Sequence, residues 1–161
     1  RMSIFDEKRP EGILQPVVQS LQNGLGNNLV ALALFGSRAR GDATPESDWD
    51  LLLIAHHLPE RTLPRLFHLK SLLPEDWRAQ ISLLAKTPQE FEGRLPSLYL
   101  DIALDAIVLY DPQGYLQERL GRLREQIARW GLIRERSNGD WTWRWKEMPP
   151  AGWALEWEVI R

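Results

Sequence analysis

The segment from Gly36 to Asp50, GSRARGDATPESDWD, concentrates the residues whose types and spacing could do chemistry. A glycine directly after an apolar run lets the backbone turn sharply, and the amides that follow can point at an anion. Ser37 adds a hydroxyl donor, Arg38 and Arg40 carry guanidinium forks matched to phosphate oxygens, and Gly41 again permits close approach. Gly36, Ser37, Arg38 and Arg40 are therefore candidate phosphate-binding residues. Asp48 and Asp50 form the other half of the constellation. At i and i+2 on a strand they project from one face roughly 7 Å apart, while Trp49 points the other way, into the fold. Two carboxylates so placed repel and are poorly solvated unless they share a cation. Oxygen ligands select a hard one, and Mg²⁺ held by one or two carboxylates and the oxygens of a triphosphate meets that need. Two such ions stabilise both the attacking and the leaving oxygens in phosphoryl or nucleotidyl transfer.

The neighbouring elements must hold this segment in place. Leu29 to Phe35 (LVALALF) and Trp49 to Ala55 (WDLLLIA) are short continuous apolar runs, which predicts two strands buried on both faces with the polar segment between them. Val17, Val18, Leu21 and Leu25 recur at helical spacing over Pro16 to Leu25, and Gly24, Gly26 and Asn27 close that helix. Between Glu60 and Leu73, Leu63, Leu66, Phe67 and Leu73 fit one helical face, with Pro64 near its start and Pro74 ending it. Ala79 to Ala85 predicts a third strand. Thr87-Pro-Gln-Glu reads as a capped start of a short helix. A helical stretch from Pro96 through Leu104, a fourth strand at Ala106 to Tyr110, and a long amphipathic helix from Tyr115 to Trp130 stopped by Gly131 complete the pattern.

Strands alternating with helices predict an α+β, α/β-like domain with a mixed sheet of about four strands flanked by helices over residues 1–131. Residues 132–161 differ. They hold Trp141, Trp143, Trp145, Trp153 and Trp157, five of the eight tryptophans, and Asn138-Gly139 is a strong hairpin turn signal. The expectation is a C-terminal Trp-rich hairpin over Leu132 to Lys146, then an extended tail, packed on the same domain. Its indoles could stack bases, but period-two aromatics more often cover a sheet or an interface, which favours core packing, a homodimer or a protein partner.

The chain has 161 residues, no cysteine and a net charge of -2, so disulfides and thiolate metal sites are excluded and no global field holds it on a polyanion. Arg1 to Pro10 lack an apolar leader region and no apolar run approaches the roughly 18 residues of a membrane span, so a soluble, cytoplasmic protein with no membrane partner is expected. His56, His57 and His68 lack metal spacing and read as surface or strand-end residues.

GSRAR with SDWDL, Gly36 to Arg40 and Ser47 to Leu51, resembles the G-S-x-A-R-G…S-D-x-D-L signature of the polymerase beta-like nucleotidyltransferases, in particular the small minimal type. The order of strands and helices extends the resemblance over roughly residues 15 to 110. It implies the nucleotidyltransferase fold, Gly36 and Ser37 on the β- and γ-phosphates of an NTP such as ATP, and Asp48 and Asp50 as catalytic ligands of two Mg²⁺ ions. The phosphate role of Arg38 and Arg40 is an extension by charge. The family pattern also has a carboxylate on the third strand, and aligning Thr87-Pro88-Gln89-Glu90-Phe91 with the usual T-P-E-E-F puts Ser82 in its place. Asp101 and Asp105, at i and i+4 on a predicted helix, are candidate substitutes, though a solvated helix face is the commoner reason for such a pair. Asp42 beside Gly41 fits turn chemistry. Two functions follow: Mg²⁺-dependent transfer of a nucleoside monophosphate from an NTP to an unknown acceptor, or a catalytically impaired nucleotide-binding or antitoxin-like module that acts through a protein partner. A nucleic-acid-binding role for the Trp-rich end ranks below both.

Overall fold

The computed structural model describes residues 9–159, and the readings of Arg1 to Lys8 and of the last two residues lie outside them. Two helices, α1 (Pro10–Ile13) and α2 (Gln15–Leu25), lead into β1 (Leu29–Phe35), a single short turn of helix α3 (Ser37–Arg40), and β2 (Trp49–Ala55). Then follow α4 (Thr62–Ser71), β3 (Ile81–Lys86), α5 (Pro88–Gly93), α6 (Ser97–Asp105), β4 (Ile107–Tyr110) and α7 (Tyr115–Trp130). The strand order is β3-β2-β1-β4. β1 is antiparallel to β2 and β4, and β2 is parallel to β3, so the sheet is mixed as the sequence predicts.

The continuous apolar runs are explained by helices on both faces. Leu32, Leu34, Trp49, Leu51 and Leu53 pack with Val17, Val18 and Leu21 of α2 and Leu69 of α4. The alternate residues Ala31, Ala33, Leu52 and Ile54 pack with Phe91 of α5, Tyr99, Leu100 and Ile102 of α6, and Leu116, Leu120, Leu123 and Ile127 of α7. Trp49 is buried on the α2 side, edge-on to Trp77 at 5.9 Å. Alternation along β2 then puts Asp50 on the side of α6 and α7.

The predicted start of α5 is present in full: the Thr87 side chain accepts from the Glu90 amide, and the Glu90 carboxylate accepts from the Thr87 amide. α4 corrects its expectation. Leu63 and Phe67 are 64% and 72% exposed, and the residue turned inward with Leu69 is Arg65. Burial of a guanidinium is tolerated because its donors are spent: Arg65 Nε donates to Pro59 O at 2.7 Å, Nη1 to Ala85 O at 3.1 Å, and the fork grips Glu90 at 2.7 and 3.2 Å. This holds the Glu90 carboxyl down to about 2, first through the Arg65 hydrogen bonds and then through the Thr87 amide.

The C-terminal region forms the predicted hairpin, β5 (Leu132–Ser137) and β6 (Asp140–Trp145), turning at Asn138 and Gly139 with φ of 51° and 85°. The tail beyond it returns along the helices. Trp153 is edge-on to Trp130 and Trp145. Trp157 packs on Phe91 and Tyr99, and its Nε1 donates to Phe91 O and Arg94 O, each at 3.0 Å, which satisfies carbonyls at the end of α5. Among the described residues no helix is long and apolar enough to cross a membrane.

Candidate functional site

β1 delivers the chain to Gly36, where φ is 73° and ψ is -158°, a conformation open essentially to glycine alone. A second constraint coincides with it. A Cβ at Gly36 would collide with Asp50 Oδ2, because Phe35 and Asp50 are register partners across β1 and β2. The bare Cα thus lets the turn close down on the carboxylate. Ser37 and Arg38 open α3, so their amides have no acceptor within the helix and are available to an anion.

Asp50 is half-buried, and its pKa is raised first by burial and then by the charge of Asp48, against the opposing charge of Arg40. The structure therefore brings together Gly36, Ser37, Arg40, Asp48 and Asp50. Arg38 is placed differently. Its Nε and Nη2 donate to Ser47 O at 3.2 and 2.9 Å, Nη2 also reaches Pro45 O at 3.3 Å, and the guanidinium lies over Trp49 at 4.5 Å. These bonds tie α3 to the loop that carries Asp48, and Thr44 braces that loop through Ser47 Oγ at 2.9 Å.

The donor set suits a divalent hard cation on one side. Asp48 and Asp50 repel each other, and a cation between them would relieve both that repulsion and the desolvation of Asp50. Ser82, the register partner of Asp50 across the parallel β2–β3 pair, places a hydroxyl rather than a carboxylate there. Among the described residues no group of three His, Cys, Asp or Glu side chains is placed to hold a metal ion.

Asp101 and Asp105 are neither a solvated face nor ligands in waiting. Both bind Arg134 of β5: Nη1 reaches Asp105 Oδ2 at 2.6 Å and Asp101 Oδ1 at 3.1 Å, and Nη2 reaches Asp105 Oδ1 at 2.8 Å. Trp143 Nε1 donates to Asp101 at 3.2 Å, and Arg134 lies over Trp141 at 4.6 Å. This cluster was not visible in the sequence. The pairing raises the pKa of Arg134 still further, chiefly through Asp105. Asp42 engages Arg40 Nε at 3.3 Å, and His56, His57 and His68 are exposed.

With this geometry in view, the relatives agree on a class. A family model described as nucleotidyltransferase domain matches residues 18–136, and the chain belongs to that family. A Methanocaldococcus jannaschii protein with the provisional name protein adenylyltransferase MJ1305 is 31% identical over 129 residues, 78% of this chain and 88% of that one. Among solved structures, a toxin–antitoxin complex with AMP-PNP contains a chain of 15% identity and TM-score 0.51, covering 70% of this chain and 85% of its own. A toxin–antitoxin MntA-HpeT mutant gives 13% identity and TM-score 0.50 over 70% and 85%. At those identities the likeness is one of fold. The protein is a nucleotidyltransferase.

Proposed function

We propose that the protein transfers a nucleoside monophosphate, AMP in particular, from its Mg²⁺-bound triphosphate to a hydroxyl on a protein acceptor. The observation that supports this reading is the closure of the Gly36 turn onto the Asp50 carboxylate, across the β1–β2 pair. Gly36 and Ser37 would receive the β- and γ-phosphates, Arg40 would neutralise their charge, and Asp48 and Asp50 would hold the metal. Arg38 would serve by fixing the loop of Asp48 rather than by touching phosphate. Bound Mg²⁺ supplies charge neutralisation of the triphosphate and of the pyrophosphate that leaves. The chain's own residues orient the phosphates and keep the two carboxylates converged. The adenylyl group and the protein acceptor rest on the 31% identical relative and its provisional name.

Ser82 beside Asp50 favours a second reading, in which nucleotide is bound but transfer is impaired. One experiment separates the two. Cell extract is incubated with the protein, Mg²⁺ and ATP labelled at the α-phosphate. Label on a protein band that is absent with Asp48→Asn/Asp50→Asn supports transfer. Triphosphate binding with no label on any protein, nucleic acid or small molecule supports the impaired module.

A further inference from the structure

Asp105 stands between two arginines at unequal distances. Arg134 of the hairpin holds it bidentately at 2.6 and 2.8 Å, whereas Arg40 of the GSRAR segment approaches the same Oδ2 only to 3.8 Å. Asp105 and Arg134 side chains are 10% and 12% exposed, so this competition takes place where water screens weakly. Arg134 has no freedom to leave: Asp101 takes part of its Nη1, Trp141 covers it, and its cross-strand neighbour Trp143 bonds Asp101.

We propose that Arg134 is a positioning residue for the transfer site, saturating Asp105 so that the Nη groups of Arg40, whose Nε is held by Asp42 at 3.3 Å, are left for the triphosphate. The Trp-rich hairpin is thereby part of the active site, although none of its residues needs to touch the nucleotide. The physical reason is a contest for one carboxylate. With Arg134 absent, Asp105 is a poorly hydrated charge whose nearest remaining cation is Arg40, and closing from 3.8 Å to a direct ion pair would turn that fork away from the phosphates. The phosphate role of Arg40 rests on the proposed function; the capture of Arg40 by Asp105 does not.

The test compares the wild type with Arg134→Met, Asp105→Asn and the double variant, and reads two quantities in each. The first is the rate at which phenylglyoxal modifies Arg40, followed by peptide mass mapping without nucleotide. The second is MgATP affinity by calorimetry. The inference expects Arg40 to react several-fold more slowly in Arg134→Met and at the wild-type rate or faster in both variants that lack the Asp105 charge. MgATP should bind about tenfold more weakly to Arg134→Met, the loss of one charge-assisted contact, and recover in the double variant. Neutralising Asp105 would also rescue a purely structural pair by removing its unpaired charge, so Arg40 reactivity is the deciding readout: a structural role leaves it unchanged in all four proteins. Unchanged reactivity of Arg40 across the set overturns the inference. Should Arg134→Met fail to fold, judged by the near-ultraviolet circular dichroism of its tryptophans, Arg134→Gln takes its place with the same expectation: Arg40 must react several-fold more slowly than in the wild type, and an unchanged rate overturns the inference. The reactivity pattern together with no MgATP binding to any protein upholds the contest for Asp105 and refutes the phosphate reading instead.

Discussion

Asp50 and Ser82 face each other across the parallel pairing of β2 with β3, so the strand that could have supplied a third carboxylate supplies a hydroxyl at that position. Ser82 is exposed, which leaves room for a longer side chain. Substituting Ser82→Asp should therefore tighten Mg²⁺ or Mn²⁺ binding in the presence of a non-hydrolysable ATP analogue by about tenfold, or about 1.4 kcal/mol. Calorimetric titration of the metal checks this. Equal affinities in the two proteins would remove Ser82 from the metal's neighbourhood.

Gly36 carries two requirements at once, a glycine-only backbone conformation and bare space over Asp50. Gly36→Ala should lose about 1–3 kcal/mol from backbone strain alone and should also abolish MgATP binding by displacing the carboxylate. Gly41, also at positive φ with open space around it, serves as a control: Gly41→Ala should show the strain without the loss of affinity. Urea unfolding and calorimetry on both variants separate the two effects.

Much of this was legible in the sequence, and the reason is local. β1, β2, α7 and the hairpin are encoded by runs, periods and turn residues within a few positions of each other; the first three appear with the predicted bounds and the hairpin ends one residue earlier, at Trp145. The Gly36 to Asp50 segment was legible for the same reason, since a short loop between adjacent antiparallel strands must return its acids to its glycine. Most of the departures are long-range. Leu63 and Phe67 look like the buried face of α4, but Arg65 takes that face because Pro59, Ala85 and Glu90 satisfy it. Asp101 and Asp105 look like a bare acidic pair, and their partner Arg134 lies 33 and 29 residues away. No spacing rule connects such residues. What signal there was lay in the hairpin, where an arginine facing tryptophans had to find an anion.

The Arg65–Glu90 pair makes stability depend on pH. Glu90 ionises at about 2 in the folded protein against about 4.5 unfolded, so its contribution is complete above about pH 4.5 and is lost as pH falls toward 2. The carboxylate is 41% exposed, so solvent screening reduces the effect. Melting temperatures measured from pH 6 to pH 2 should fall more steeply for the wild type than for Glu90→Gln. Parallel curves would show that the pair contributes nothing measurable.

Trp157 fastens the tail to the end of α5 through its ring and its N–H. Trp157→Phe keeps most of the packing and should cost about 1 kcal/mol for the hydrogen bonds. Trp157→Ala removes the ring as well, and should cost about 3 kcal/mol. Urea unfolding monitored by far-ultraviolet circular dichroism distinguishes them. Wild-type stability in the alanine variant would mean that the tail is not seated on α5 in solution.

The central claim is that Gly36, Ser37, Asp48 and Asp50 form one site for a metal-bound triphosphate. Its most direct test is calorimetric titration of MgATP into the wild type and into Asp48→Asn/Asp50→Asn, each repeated with EDTA. The account predicts binding to the wild type that requires Mg²⁺ and disappears in the double variant while the fold is retained. Binding of equal strength to both proteins, or none to a folded wild type, would contradict it.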